Sequence, residues 1–217
     1  MYWSTEPKTA DLIMGHRIRA FVAKAGTLEP VVSGLPHAHF FDLPQGFRML
    51  ALTLTFTEAL HDQRSAGQHV LVSSMSTLSE EMAALAAEAS HSAPVAFIAT
   101  DFFGGIGDQE SMVWESGDVI LGPLRTEWRW RPSPHVPAIH RVLIGFLKRL
   151  GARGDTLSAG AIVPSPVDEW AVSTALRRIG VDRTGHVDEF DALDLIRHRD
   201  FDDLEADDIW PETSDES

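Results

Sequence analysis

Apolar and polar side chains alternate along residues 47–56: Leu50, Leu52, Leu54 and Phe56 fall on one side, Thr53 and Thr55 on the other. That two-residue period predicts a half-buried strand. It recurs over 16–23, where Ile18, Ala20 and Val22 share a face. It recurs again over 125–131, with Thr126, Trp128 and Trp130 opposite Arg125, Glu127, Arg129 and Arg131. Shorter strands are predicted at 69–73 and 95–100, and 111–115 with 118–121 reads as a hairpin turning on Ser116-Gly117.

The period changes to three and four at Leu78, Met82, Leu85 and Ala89, which predicts a helix. Thr77 and Glu80 stand at capping-box spacing before it, and Pro94 follows its end. A second apolar helical face runs through Ile139, Val142, Leu143, Phe146, Leu147 and Leu150, stopped by Gly151. Ser165-Pro166-x-Asp168 opens a third helix that ends, basic in its last turn, at Arg177-Arg178-Ile179-Gly180. Residues 188–196 suggest one more short helix. Residues 26–45, 61–67 and 152–164 read as loops, the first with room for one short strand.

Strands dominate up to about residue 131 and helices after it, which points to an α+β fold: a mainly antiparallel sheet with one central helix and a C-terminal helical part. The expected organisation is an arm over 1–12, one globular domain over 13–201 and a disordered acidic tail over 202–217. Leu52, Leu54, Phe56, Leu85, Phe97, Phe146 and Leu147 are the expected core.

Charge sharpens this picture. The net charge of the 217 residues is −14. Nine acids and no base lie between Asp200 and Ser217, which leaves −5 for residues 1–199. A tail so charged cannot bury enough apolar surface to offset its ordering. The acidity argues against a duplex-DNA binder, which shows a basic face. There is no cysteine, so disulfides, thiolate catalysis and cysteine metal sites are excluded. No apolar run approaches the ~20 residues of a membrane span, and the first eight residues lack a signal-peptide pattern. A cytoplasmic protein without a membrane partner is expected.

Residues 101–109, Asp-Phe-Phe-Gly-Gly-Ile-Gly-Asp-Gln, are the most conspicuous segment. Its glycines permit positive φ and close approach of a ligand or partner backbone. Asp101, Gly104, Gly105, Gly107, Asp108 and Gln109 are therefore candidate contacts for a ligand or partner, against the plainer reading of a wide turn. No phosphate-loop lysine follows, and the segment leads into a strand rather than a helix. Arg125, Arg129 and Arg131 are candidate anion contacts, against the plainer reading of a solvated strand face. His37 and His39, two apart, are too few to predict a metal site. Asp188, Glu189 and Asp191 read more simply as the acidic start of a helix than as cation ligands. No nucleophile–base pair, complete metal motif or cofactor motif emerges, so no cofactor and no metal are expected.

The combination Phe103-Gly104-Gly105-x-Gly107-x-Gln109, Val113-Trp114-x-x-Gly117 and Asp188-Glu189-Phe190-Asp191-Ala192-Leu193, over roughly residues 95–200, resembles a group of uncharacterised bacterial proteins. The resemblance implies a bacterial cytosolic protein and transfers no catalytic role. The expectation is a non-enzymatic interaction protein, immunity-like or regulatory, with another protein as partner. A basic partner fits the acidity, because opposite charge speeds encounter. The alternative is an enzyme or ligand-binding protein whose site surrounds residues 101–109. A concave pocket there would favour this alternative; a flat patch would favour the first reading.

Overall fold

The computed structural model describes residues 16–64, 70–103, 106–129 and 170–198. The predicted arm over 1–12, the helix around Phe146 and Leu147, and the tail over 202–217 lie outside the described residues. So do Gly104, Gly105 and Arg131.

Six strands form one antiparallel sheet: β1 (His16–Lys24), β2 (Phe40–Leu43), β3 (Phe47–Ala51), β4 (Val95–Phe103), β5 (Ile106–Glu115) and β6 (Asp118–Arg129). Their spatial order is β2-β3-β1-β4-β5-β6. Helices α1 (Leu54–Arg64) and α2 (Glu80–Ala89) pack on one face; α3 (Ala171–Arg178) and the short α4 (Glu189–Ala192) pack on the other. The α+β class read from the sequence holds. Among the described residues no helix is long and apolar enough to cross a membrane.

Strand alternation builds two cores. Phe21, Phe97, Met112 and Trp114 point to the α1/α2 side, where they meet Leu52, Phe56, Leu60, Leu78 and Leu85. Ile18, Ala20, Val22, Ala96, Ile98 and Val113 point the other way, against Val172, Ala175, Leu176 and Leu193. A sheet apolar on both faces must be covered twice, and the two helical layers do so.

Several expectations are corrected. The strand predicted over 47–56 ends at Ala51, and a helix begins at Leu54. Thr53 explains the switch: its Oγ1 accepts from the Phe56 amide at 3.2 Å, a side-chain cap that ends the strand. Helical geometry then buries Phe56 and Leu60 but leaves Leu54 51% exposed, so Leu54 is not core. Residues 61–64, predicted as loop, are the last turn of α1. The strand predicted over 69–73 is a single bridge between Leu71 and Ser79. The cap of α2 is Ser79, whose side chain accepts from the Met82 amide, and not Thr77.

The β5–β6 hairpin turns as expected on Ser116 and Gly117, both at positive φ (56° and 89°), the backbone of a type I′ turn. Further along, the β5–β6 register shifts between Ser111 and Val113, opposite Gly122. Gly122 has φ of 99°, and a Cβ there would stand 2.8 Å from the Ser111 carbonyl oxygen. Backbone on both sides leaves nothing to give way. Gly122→Ala should therefore lower unfolding stability by about 2 kcal/mol or more. Urea denaturation tests this; a change below about 0.5 kcal/mol, the usual surface value, would show that the bulge tolerates a side chain.

Candidate functional site

Residues 101–109 are not a wide loop. Asp101 lies in β4 and Asp108 in β5, directly opposite one another, and Gln109 is opposite Thr100. Gly107 is a strand residue paired with Phe102 and Trp128. The ladder continues almost to the Gly104-Gly105 connection because a glycine within a strand still supplies its amide and carbonyl.

Antiparallel register then sorts the side chains into cross-strand rows. On the α1/α2 side of the sheet, Arg17, Asp101, Asp108 and Glu127 form one row across β1, β4, β5 and β6. The next row is Arg19, Ala99, Glu110 and Arg125. The row beyond holds Phe21, Phe97 and Met112, already core. The same face is thus apolar under the helices and charged where it emerges from beneath them.

Each long side chain in the second row has a defined task. Arg19 donates through Nε and Nη2 to the Leu52 carbonyl, at 2.9 and 2.7 Å, where the chain leaves the sheet for α1. Glu110 is 2% exposed. Its Oε1 accepts from the Ser76 amide at 2.9 Å and the Ser76 hydroxyl at 2.7 Å. Its Oε2 accepts from the same amide at 3.1 Å and from the Thr77 hydroxyl at 3.0 Å. A buried carboxylate is tolerated when both its oxygens are satisfied in this way. It ties the segment before α2 to the sheet. Ala99, between Arg19 and Glu110, contributes only a methyl group.

The missing side chain at Ala99 leaves a pit of about 170 Å³, walled by Arg17, Arg19, Asp101, Asp108 and Glu110 and roofed by Ser76 and Thr77. Ile18 and Thr100 also border it, though strand parity sends their side chains to the opposite face. Arg125 Nη2 holds Asp108 Oδ2 at 2.9 Å and lies 3.9 Å from Glu127. Its Nη1 lies 3.7 Å from Glu110. Among the described residues no ion pair engages Arg17 or Asp101, and both are exposed.

Of the residues nominated from sequence, Asp101, Asp108 and Arg125 meet at this place. Gln109 does not: it faces α3, and its Oε1 accepts from the Val172 amide at 3.2 Å. Thr126 takes the Ala171 amide at 3.0 Å, so β5 and β6 together cap the first turn of α3. For Arg129 the structure fixes a position at the end of β6, opposite Ile106. His37 and His39 sit in the turn before β2, and no group of three or more His, Asp or Glu among the described residues is placed to hold a metal ion. The Asp188–Asp191 carboxylates also diverge. Asp188 caps α4 and Asp191 accepts from the Val187 amide. Glu189, 1% exposed, accepts from Arg177 Nε at 2.7 Å. Burial works to raise the Glu189 pKa, but the Arg177 hydrogen bond, a hydrogen bond from its own backbone and the charges of Arg177 and Arg183 together hold the carboxyl below its ordinary value.

Arg17, Arg19, Ser76, Thr77, Ala99 and Glu110 were not anticipated. A signal for Glu110 was present: it shares parity with Met112 and Trp114, so a strand begun one residue earlier than 111 places it on a buried face. Arg17 and Arg19 likewise alternate with Ile18 and Ala20. Ser76 and Thr77 carried no such signal, because their partner lies 33 or 34 residues away.

Chemically, the hydroxyls here are donors to a carboxylate that already has its full complement of partners, and the lining holds no histidine, lysine or cysteine. Its carboxylates and arginines are groups that pair with opposite charge. Comparison with protein-family models, with curated proteins and with solved structures gives no match.

Proposed function

We propose that this protein is a non-catalytic binding protein that docks a basic protein partner on the charged end of its sheet. The observation that carries the reading is the row Asp101, Asp108, Glu127: three carboxylates in register on adjacent strands. Like charges directly opposite on neighbouring strands cost stability. Arg125 offsets Asp108 and Glu127, while Asp101 faces Asp108 on one side and Arg17 on the other, with no ion pair to Arg17 among the described residues. A cationic surface set against the row would add to what Arg17 and Arg125 offset within the chain. The −14 net charge supports the same choice by steering basic partners toward the protein, and it disfavours nucleic acid. The concavity beside Asp101 and Asp108 is the feature that favours the ligand-binding alternative. At about 170 Å³, however, it is smaller than the ~300–1,000 Å³ of pockets for small molecules and cofactors and matches a single side chain better.

The test is affinity capture from the native host with wild type and with the double variant Asp101→Asn/Glu127→Gln. Glu127 is 53% exposed and Asp101 is exposed, so the fold should be preserved, as melting curves would verify. A basic protein should be captured by wild type, released at about 1 M salt, where screening reaches ~3 Å, and lost by the variant. Capture unchanged by the variant, or unaffected by salt, would overturn the reading.

A further inference from the structure

We infer that the pit over Ala99 is a socket for one arginine side chain of that partner; the inference rests on the docking reading above and adds which group enters. Three features point to it. The first is size: about 170 Å³ suits a single long side chain rather than a cofactor. The second is the pattern of unused acceptors. Asp108 spends Oδ2 on Arg125, while its Oδ1 and both oxygens of Asp101 accept no hydrogen bond among the described residues. These acceptors belong to residues paired across one ladder position. Two acceptors side by side match the planar fork of a guanidinium better than the compact ammonium of lysine.

The third feature is that two of the nearby positive charges, Arg19 in the wall and Arg125 beside it, are engaged elsewhere, while Arg17 lines the pit opposite Asp101. Arg19 is turned to the Leu52 carbonyl, and Arg125 approaches Asp108 from the β6 side. Arg17 stands exposed at the rim. Glu110, already satisfied, contributes its charge at the base without competing for position. An entering guanidinium would lie over the Ala99 methyl, lengthwise beneath Ser76 and Thr77, with its fork on Asp101 and Asp108. Ala99 is what makes this possible, because a larger residue at the centre of that row would fill the space.

The probe is n-butylguanidinium, an arginine side chain without its backbone, titrated into the isotopically labelled full chain and followed by amide NMR. Saturable shifts are expected at Ser76, Thr77, Asp101 and Asp108. Affinity should fall at least about tenfold in Asp101→Asn, by loss of a charge-assisted hydrogen bond, and binding should vanish in Ala99→Leu. Because Ala99→Leu places bulk against a core, Asp101→Asn, at an exposed position, decides the matter if the former misfolds. Butyrate should produce no such shifts. Absence of saturable shifts at these residues, equal binding by butyrate, or unchanged affinity in Asp101→Asn would overturn the socket. If the partner is nonetheless lost from the acidic-row variant, docking stands and the socket alone fails. If the probe binds while partner capture ignores the row, the pit is a small-molecule site and the docking reading fails.

Discussion

Glu110→Ala should lower the unfolding free energy by about 2–4 kcal/mol, although nothing apolar is removed. Hydrogen bonds to a charged group are worth ~1.5–3 kcal/mol each in net terms, but they are not additive, and Ser76 can recover water when its partner goes. The loss should exceed that of a surface charge because Glu110 is 2% exposed and fixes three donors at once. Glu110→Gln should not rescue it: the amide keeps the shape but turns one acceptor into a donor facing donors. The segment that Glu110 anchors leads into the Ser79 cap of α2, so amide exchange should speed up over residues 75–82 more than in β1. A destabilisation under about 0.5 kcal/mol, the scale of an ordinary surface change, or exchange unchanged at 75–82, would show that the clamp does not hold this segment.

The other large effect belongs to the core. Phe97 is fully buried at the centre of the sheet, its ring edge-on to Phe21 with centroids 5.9 Å apart. Phe97→Ala should cost about 3–5 kcal/mol, through lost transfer energy and the cavity left behind. Leu54→Ala is the matched control. The strand alternation would have ranked the two alike, yet Leu54 is 51% exposed and its truncation should change stability by less than about 0.5 kcal/mol. Chemical denaturation of both variants measures the contrast. Similar losses from the two would contradict the helix assigned from residue 54 onward.

The Leu54 case shows where the sequence was legible. Alternation placed Ile18, Ala20 and Val22 on one face, and the apolar run over 95–100 put Phe97 in the core, because a strand covered on both sides is apolar on both. It misled over 47–56, because Leu50, Leu52, Leu54 and Phe56 satisfy the strand period while Phe56 and Leu60 satisfy the helical one. One hydroxyl, on Thr53, decides between them. The candidate site was half readable. Asp101 and Asp108 stand out beside the glycines of 101–109 and Arg125 in the alternation of 125–131, but their meeting depends on register, and register is a relation between strands. The same register sent Gln109, adjacent to Asp108 in the chain, to the opposite face as a helix cap. Glu110 was hidden by a strand boundary, and the Ser76–Thr77 clamp by its distance along the chain.

The strand order β2-β3-β1-β4-β5-β6 also fixes what can form early during synthesis. The β4–β5–β6 meander closes through short connections, so its ladders cost little loop entropy. Strand β1 emerges from the ribosome first, yet it sits at the centre of the sheet and pairs with β4 only after some seventy further residues. Its Ile18–Ala20–Val22 face waits longer still, because Val172, Ala175 and Leu176 of α3 complete that core. A nascent chain short of residue 171 therefore carries apolar strand surface without the helix that covers it, and it is in this window that the protein is most exposed to chaperones and to misassociation.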